Sequence, residues 1–137
     1  MIYLETSALV KLIRREAESE DLGNWLDERI HIPWITSTLS EVELPRALRA
    51  AAALEGLPAV PALLARMDRF EIDQVIRSTA AAYPNSLLRS LDAIHLATAQ
   101  TAAAAGSLTA LVSYDNRLME AARALGLTTA APGAPAS

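Results

Sequence analysis

Cysteine is absent from this 137-residue chain, which excludes disulfides, thiolate-held metals, iron–sulfur clusters and cysteine nucleophiles. It points to a reducing compartment, so cytoplasmic localisation is the expectation. Aromatic residues are scarce, with one Phe, two Trp and three Tyr, too few for the broad stacking platform on which single-strand binders lay their bases. No apolar run approaches the roughly 18 residues that span a bilayer. The opening MIYLETSALVKLIRRE carries its Lys and Arg after the apolar stretch, the reverse of a signal peptide, and no membrane association is expected. Missing too are a Gly-rich phosphate loop, a Ser-His-Asp order and a His-x-x-x-His metal motif. Positive charge is short: twelve Lys and Arg face sixteen Asp and Glu, for a net charge of −4. Phosphate affinity ordinarily comes from Lys and Arg, so the sign is unusual for a nucleic-acid protein. Eleven of the twelve bases are Arg and Lys11 is the one lysine, a bias that suits bidentate carboxylate or phosphate contacts but equally a GC-rich genome.

What is present is apolar. Hydrophobic residues make up 52% and charged residues 20%, a composition that folds, at a length that suits one domain. Residues 1–4 read as a strand, Thr6-Ser7 as cap hydroxyls before a helix over 8–15, and residues 16–28 as an amphipathic second helix. Residues 32–37 (IPWITS) form a second strand candidate. Thr38-x-x-Glu41 and Ser40-x-x-Glu43 are overlapping capping boxes that announce a third helix, with Pro45 in its first turn or kinking it. Beyond the break at Glu55-Gly56-Leu57-Pro58, residues 60–69 read as helical, and 70–73 as a short strand or a helix start. Helices follow over 75–82 and 90–105, the second ended by Gly106. LTALVS (108–113) is the best buried strand, Asp115 an N-cap for a helix over 116–125, and LTTA a last strand. Strand and helix alternate without a hairpin signal. The expected fold is therefore α/β, with helices on both faces of a central, mostly parallel sheet of four to five strands, over residues 1–130. The tail 131–137 (APGAPAS) is expected to be disordered.

In such sheets the site lies at the carboxyl ends of the strands. Acids fall at those junctions: Glu5 after the first strand, Glu41 or Glu43 at the third helix, Asp92 in the first turn of the long helix and Asp115 after LTALVS. Each has an ordinary alternative as a cap or a helix-dipole partner, worth about 0.5–2 kcal/mol. Glu5 has the least of one, since a carboxylate directly behind an apolar strand needs a buried partner, a metal or an Arg. His95, one turn from Asp92 on the same helix, can reach the site but reads first as structural. His31 reads as a loop or strand-edge residue, and Trp25 and Trp34 as core or interface.

The stretches MIYLETSALVKL, EVELPRAL, LRSLDAIHLATA and LVSYDNRLMEAARALGL resemble, in order and spacing, the four signature blocks of the PIN-domain ribonucleases. They are most similar to the VapC toxins of toxin–antitoxin modules. The resemblance spans about residues 1–128 and implies a three-layer α/β/α fold and an acidic, catalytic metal site of Glu5, Glu43, Asp92 and Asp115. Glu43 is preferred to Glu41 because the family's acid precedes x-x-Arg-Ala-Leu, here Leu44-Pro45-Arg46-Ala47-Leu48; Glu41 keeps the cap role. The hydroxyls of Thr6 or Ser7 and of Ser113 would orient the first and last acids. The resemblance further implies a Mg²⁺ cofactor with Mn²⁺ as substitute, an RNA substrate such as tRNA or rRNA cut by phosphodiester hydrolysis, a cognate VapB-like antitoxin and a homodimer. Arg46 and Arg89 are candidates for contacting backbone phosphates. Without the four site acids, twelve acids stand beside twelve bases, and the unusual charge has an explanation.

One departure stands out. The family's first block ordinarily reads Asp-Thr-Ser, here Glu5-Thr6-Ser7. The added methylene moves the carboxylate by roughly 1.5 Å, more than a catalytic constellation tolerates, and a weakened or abolished activity is the expectation. The alternative is a catalytically degenerate module kept for antitoxin or protein binding.

Overall fold

The computed structural model describes residues 1–135. Its sheet is built from five strands, β1 (Ile2–Leu4), β2 (Trp34–Ser37), β3 (Asp68–Phe70), β4 (Ala110–Val112) and β5 (Thr129–Ala130), in the order β3-β2-β1-β4-β5. Every pairing is parallel. Seven helices connect them among the described residues: α1 (Thr6–Ile13) and α2 (Ser19–Asp27) between β1 and β2, α3 (Ser40–Ala50) and α4 (Val60–Leu64) between β2 and β3, α5 (Gln74–Ala82) and α6 (Ser90–Ala105) between β3 and β4, and α7 (Asn116–Ala124) before β5. A 3-10 turn, Leu54–Ala59, leads into α4.

Strand alternation sorts the core into two layers. Ile2, Leu4 and Val112 pack with Leu9, Leu22, Leu44 and Leu48 from the first three helices. Tyr3, Ile35 and Leu111 turn to the other face and pack with Leu96, Ala99 and Ala102 of α6 and Leu118 and Ala122 of α7. The alanines of α6 let that helix lie close to the sheet, and seven of its residues are buried. The expected three layers with helices on both faces are thus present.

Several boundaries differ from the sequence reading. The third strand is Asp68–Phe70, two residues earlier than expected, and Asp73, just beyond it, caps α5 by accepting from the Ile76 amide at 2.9 Å. Neither capping box at α3 forms. Ser37 Oγ accepts the Leu39 amide (3.0 Å), Ser40 is buried with its hydroxyl 2.9 Å from that of Thr36, and Glu41 pairs with Arg69 at 3.2 Å instead of capping. Ser37 and Ser40 spend their hydroxyls on the Leu39 amide and on Thr36 of β2, and these partners outcompete the cap. Pro45 sits in the second turn of α3, inside the helix. At residues 131–135 the Ala134 N–H donates to the Ala131 carbonyl (3.0 Å), and the Tyr114 hydroxyl donates to the Pro132 carbonyl (2.8 Å). Residues 136 and 137 lie outside the described residues. Among the described residues no helix is long and apolar enough to cross a membrane.

Gly126 follows α7 with φ +80°, and no atom lies within 4 Å of where a Cβ would stand. The cost of Gly126→Ala is then backbone strain alone, about 1 kcal/mol. We expect the melting temperature to fall by roughly 3–5 °C, read by circular dichroism; an unchanged value contradicts the left-handed closure of α7.

Candidate functional site

The chain runs outward from β1 through β2 to β3, then returns to lay β4 on the other side of β1. The carboxyl ends of β1 and β4 therefore flank the point where the strand order reverses, the place where open α/β sheets hold their ligands. Glu5 leaves β1 there, its amide donating to the Val112 carbonyl at 3.1 Å. Ser113, Tyr114 and Asp115 leave β4 beside it. Glu43 comes in from the first turn of α3 and Asp92 from the first turn of α6.

Three of these acids are held by one oxygen each. Oε1 of the buried Glu5 accepts from the hydroxyls of Ser7 (2.5 Å) and Ser113 (2.7 Å). Those hydroxyls are themselves fixed: Ser7 Oγ accepts the Tyr114 amide at 2.9 Å and Ser113 Oγ the Asp115 amide at 3.1 Å. Oε1 of Glu43 takes the Thr6 hydroxyl (2.7 Å) and lies 2.6 Å from Nε2 of His95. Oδ1 of Asp115 caps α7, accepting the amides of Arg117 (3.0 Å) and Leu118 (3.1 Å). The second oxygen of each carboxylate accepts no hydrogen bond from the described residues. Asp92 accepts none with either oxygen. The hydroxyl assignment differs in detail from the expectation: Thr6 holds Glu43, while Ser7 and Ser113 both hold Glu5.

The electrostatics report the convergence. Burial raises the Asp92 carboxyl from its ordinary 3.8 to about 6, and the charges of Asp115, Glu5 and Glu43 add to it, with His95 opposing. Asp92 and Asp115, 23 positions apart in the chain, are thus electrostatic neighbours. Glu43 goes the other way. Burial alone would raise it, but the hydrogen bonds from His95 and the Thr6 hydroxyl outweigh burial and lower its pKa. Each of Glu5, Glu43 and His95 has a potential ligand atom, and these atoms lie within 4.8 Å of one another. Clustered carboxylates with unengaged oxygens, one of them pushed toward the neutral form, make a donor set suited to a hard divalent cation.

A cleft of about 830 Å³ opens from this point. Glu5, Ser7, Glu43 and Arg46 line it, with an apolar flank that includes Val10 and Val42. Arg46, exposed on α3, makes no ion pair among the described residues. Arg89 is exposed at the start of α6 and is not part of the cleft lining. His31 lies exposed in the turn before β2. Trp25 and Trp34, partly buried, are each covered by an arginine, Arg29 and Arg66, at 4.0 Å.

His95 is the site residue that neither the strand-end rule nor the motif resemblance assigned. It is fully buried and touches Tyr3, Thr6 and Glu43. Its position three residues after Asp92 was the available signal, since i and i+3 share a helix face.

Comparison with known proteins matches the PIN domain over residues 2–124. Ribonuclease VapC35 of Mycobacterium tuberculosis (strain ATCC 25618 / H37Rv) is 72% identical over 133 residues, 97% of this chain and 98% of the relative. Ribonuclease VapC47 (strain CDC 1551 / Oshkosh) is 39% identical over 136 residues, 98% of each chain. Ribonuclease VapC46 (strain ATCC 25618 / H37Rv) is 40% identical over 134 residues, 96% of this chain and 97% of the relative.

Proposed function

The chain belongs to the PIN-domain family, in its VapC-like branch, and from that premise we propose that it is a divalent-metal-dependent endoribonuclease toxin. It hydrolyses phosphodiester bonds of structured RNA, tRNA or rRNA, and a VapB-like antitoxin neutralises it. The observation that carries this reading is that Asp92 feels the charges of Asp115, Glu5 and Glu43, acids from four separate stretches of chain, with Glu5 and Glu43 at close range beside the strand-order reversal. The names of the relatives, all ribonucleases, support the substrate class.

Glu5, Glu43, Asp92 and Asp115 would hold Mg²⁺, or Mn²⁺ in its place. When bound, the ion supplies positive charge against the scissile phosphodiester and acidifies water. The chain's own residues do the rest. Ser7 and Ser113 fix the reach of Glu5, Thr6 and His95 fix Glu43, and the amides of α7 fix Asp115, so three carboxylates keep their geometry without a cation. Preorganisation of this kind spares the site a reorganisation during the reaction. Asp92, untied and ionising near pH 6, gives up its proton readily when a cation arrives. Arg46, on the rim of the cleft, is suited to a backbone phosphate. The homodimer belongs to the same proposal, as does an antitoxin segment that covers the cleft and brings an Arg or Lys to the acids.

Two measurements test the reading. Purified chain is incubated with a panel of tRNA and rRNA under Mg²⁺, Mn²⁺ and EDTA: cleavage with either ion and none with EDTA is expected. Absence of cleavage under every condition, from a chain that still captures a VapB-like antitoxin, favours the binding-module alternative. Separately, ion at about 100 times its dissociation constant stabilises the fold by about 2.7 kcal/mol, a rise in melting temperature on the order of 10 °C. A melting temperature unmoved by saturating Mn²⁺ removes the metal from the proposal.

A further inference from the structure

His95 has two neighbours in line, and together they determine which of its nitrogens carries the proton. Nδ1 lies 2.7 Å from the Tyr3 hydroxyl and Nε2 lies 2.6 Å from Glu43 Oε1. Tyr3 is completely buried, with the hydroxyls of Thr36 and Thr98 also near its phenol. Those two hydroxyls give their protons elsewhere, Thr36 to the Leu4 carbonyl and Thr98 to the Ile94 carbonyl, each at 2.7 Å. At the far end of the ring an ionised carboxylate can only accept, so Nε2 bears the hydrogen. A neutral ring then has its lone pair on Nδ1, where it receives the phenol proton of Tyr3. Both ends are satisfied by the same neutral tautomer.

We propose that His95 is a positioning residue and not a metal ligand. Its Nε2–H tautomer is the one that Glu43 and Tyr3 together satisfy, and that N–H, with the Thr6 hydroxyl, holds Glu43 by Oε1 so that the other oxygen serves the cation. A nitrogen that bears a hydrogen has no lone pair to offer an ion, so the proximity of Nε2 to the carboxylates does not make it a donor. The inference rests on the functional reading for Glu43 as a site acid; the chain of hydrogen bonds stands by itself.

The first test is ¹⁵N NMR of the full chain near pH 8, without metal and then with saturating Mg²⁺. Nε2 is expected to be protonated and Nδ1 unprotonated in both states. Protonation at Nδ1 in the metal-free chain, or loss of the Nε2 hydrogen on adding Mg²⁺, overturns the proposal. The second test uses variants. His95→Leu is expected to weaken Mg²⁺ binding by about 10–100-fold and to lower kcat with KM for RNA unchanged. His95→Gln, which retains an N–H donor, recovers most of the loss. Equal damage from Leu and Gln, both folded by circular dichroism, overturns the positioning role. Tyr3→Phe keeps the packing and removes the hydrogen bond to Nδ1, so the Nδ1 resonance should move while Nε2 keeps its hydrogen; an unmoved Nδ1 resonance shows that the phenol does not bond there and overturns that part. A wild-type chain with the Nε2–H tautomer that binds no Mg²⁺ supports the hydrogen-bond chain while refuting the metal reading.

Discussion

Asp92→Asn is expected to abolish RNA cleavage, by on the order of 10²–10³-fold or more, and at the same time to make the metal-free chain more stable at neutral pH. The first effect follows from removing an acid of the site. The second follows from the sign of the pKa shift. Folding raises the Asp92 carboxyl from 3.8 to about 6, through burial and the charges of Asp115, Glu5 and Glu43. Below pH ~4 the group is protonated folded or unfolded and costs nothing. Between about 4 and 6 the unfolded chain releases the proton while the folded chain retains it, so stability falls as pH rises, and above 6 the whole penalty is present. Because Asp92 is only partly buried, solvent screening reduces the penalty to on the order of 1 kcal/mol. Melting temperatures of the two metal-free proteins should therefore differ by about 3–5 °C at pH 7.5, in favour of the variant, and converge toward pH 4. Cleavage that persists in Asp92→Asn assigns the activity to another mechanism. A variant less stable than wild type at every pH shows that the four acids do not repel one another as described.

Glu5→Asp is expected to lower cleavage by at least about tenfold, although Asp is the residue the family ordinarily carries there. The physical reason is the pair of hydroxyls on Oε1. Ser7 and Ser113 both donate to that oxygen, and each hydroxyl is fixed by a backbone amide from the segment behind β4. The site around position 5 is thus built to the length of glutamate. Shortening the side chain withdraws the carboxylate by roughly 1.5 Å from donors that do not follow it, and a misplacement of about 1 Å can cost 10²-fold in rate. The expectation from sequence alone, that Glu5 weakens the site, makes the opposite forecast. Cleavage assays of both proteins at matched Mg²⁺ and Mn²⁺ decide between them: a more active Glu5→Asp chain restores the weakened-site view and discards the compensation described here.

The acids were legible in the sequence because strand-to-helix junctions are legible. A run such as LTALVS followed by Asp115 announces a strand and a cap, and in a parallel sheet such junctions collect at one edge. The direction of the hydroxyls was harder to read. Ser40 and Glu43 satisfy the capping-box pattern, yet Ser40 bonds across to Thr36 and Glu43 to Thr6 and His95; a local pattern cannot say that a partner 37 or 52 positions away will compete. His95 was obscured for a related reason. On a helix buried on most sides it reads as one more packed residue, and only its meeting with Tyr3, 92 positions distant, reveals what it holds.

The middle of the sheet belongs to β1, and its flanks are β2 and β4, separated from it by some 30 and 110 residues. Long-range pairings of this kind form slowly and late. Glu5 meets Ser113 only when β4 has arrived, so a nascent chain made only as far as α6 carries Glu5, Glu43 and Asp92 but has no way to gather all four acids. A ribosome translating such a chain is shielded from it until β4 and Asp115 have been made, and any product truncated before β4 is expected to be harmless to RNA.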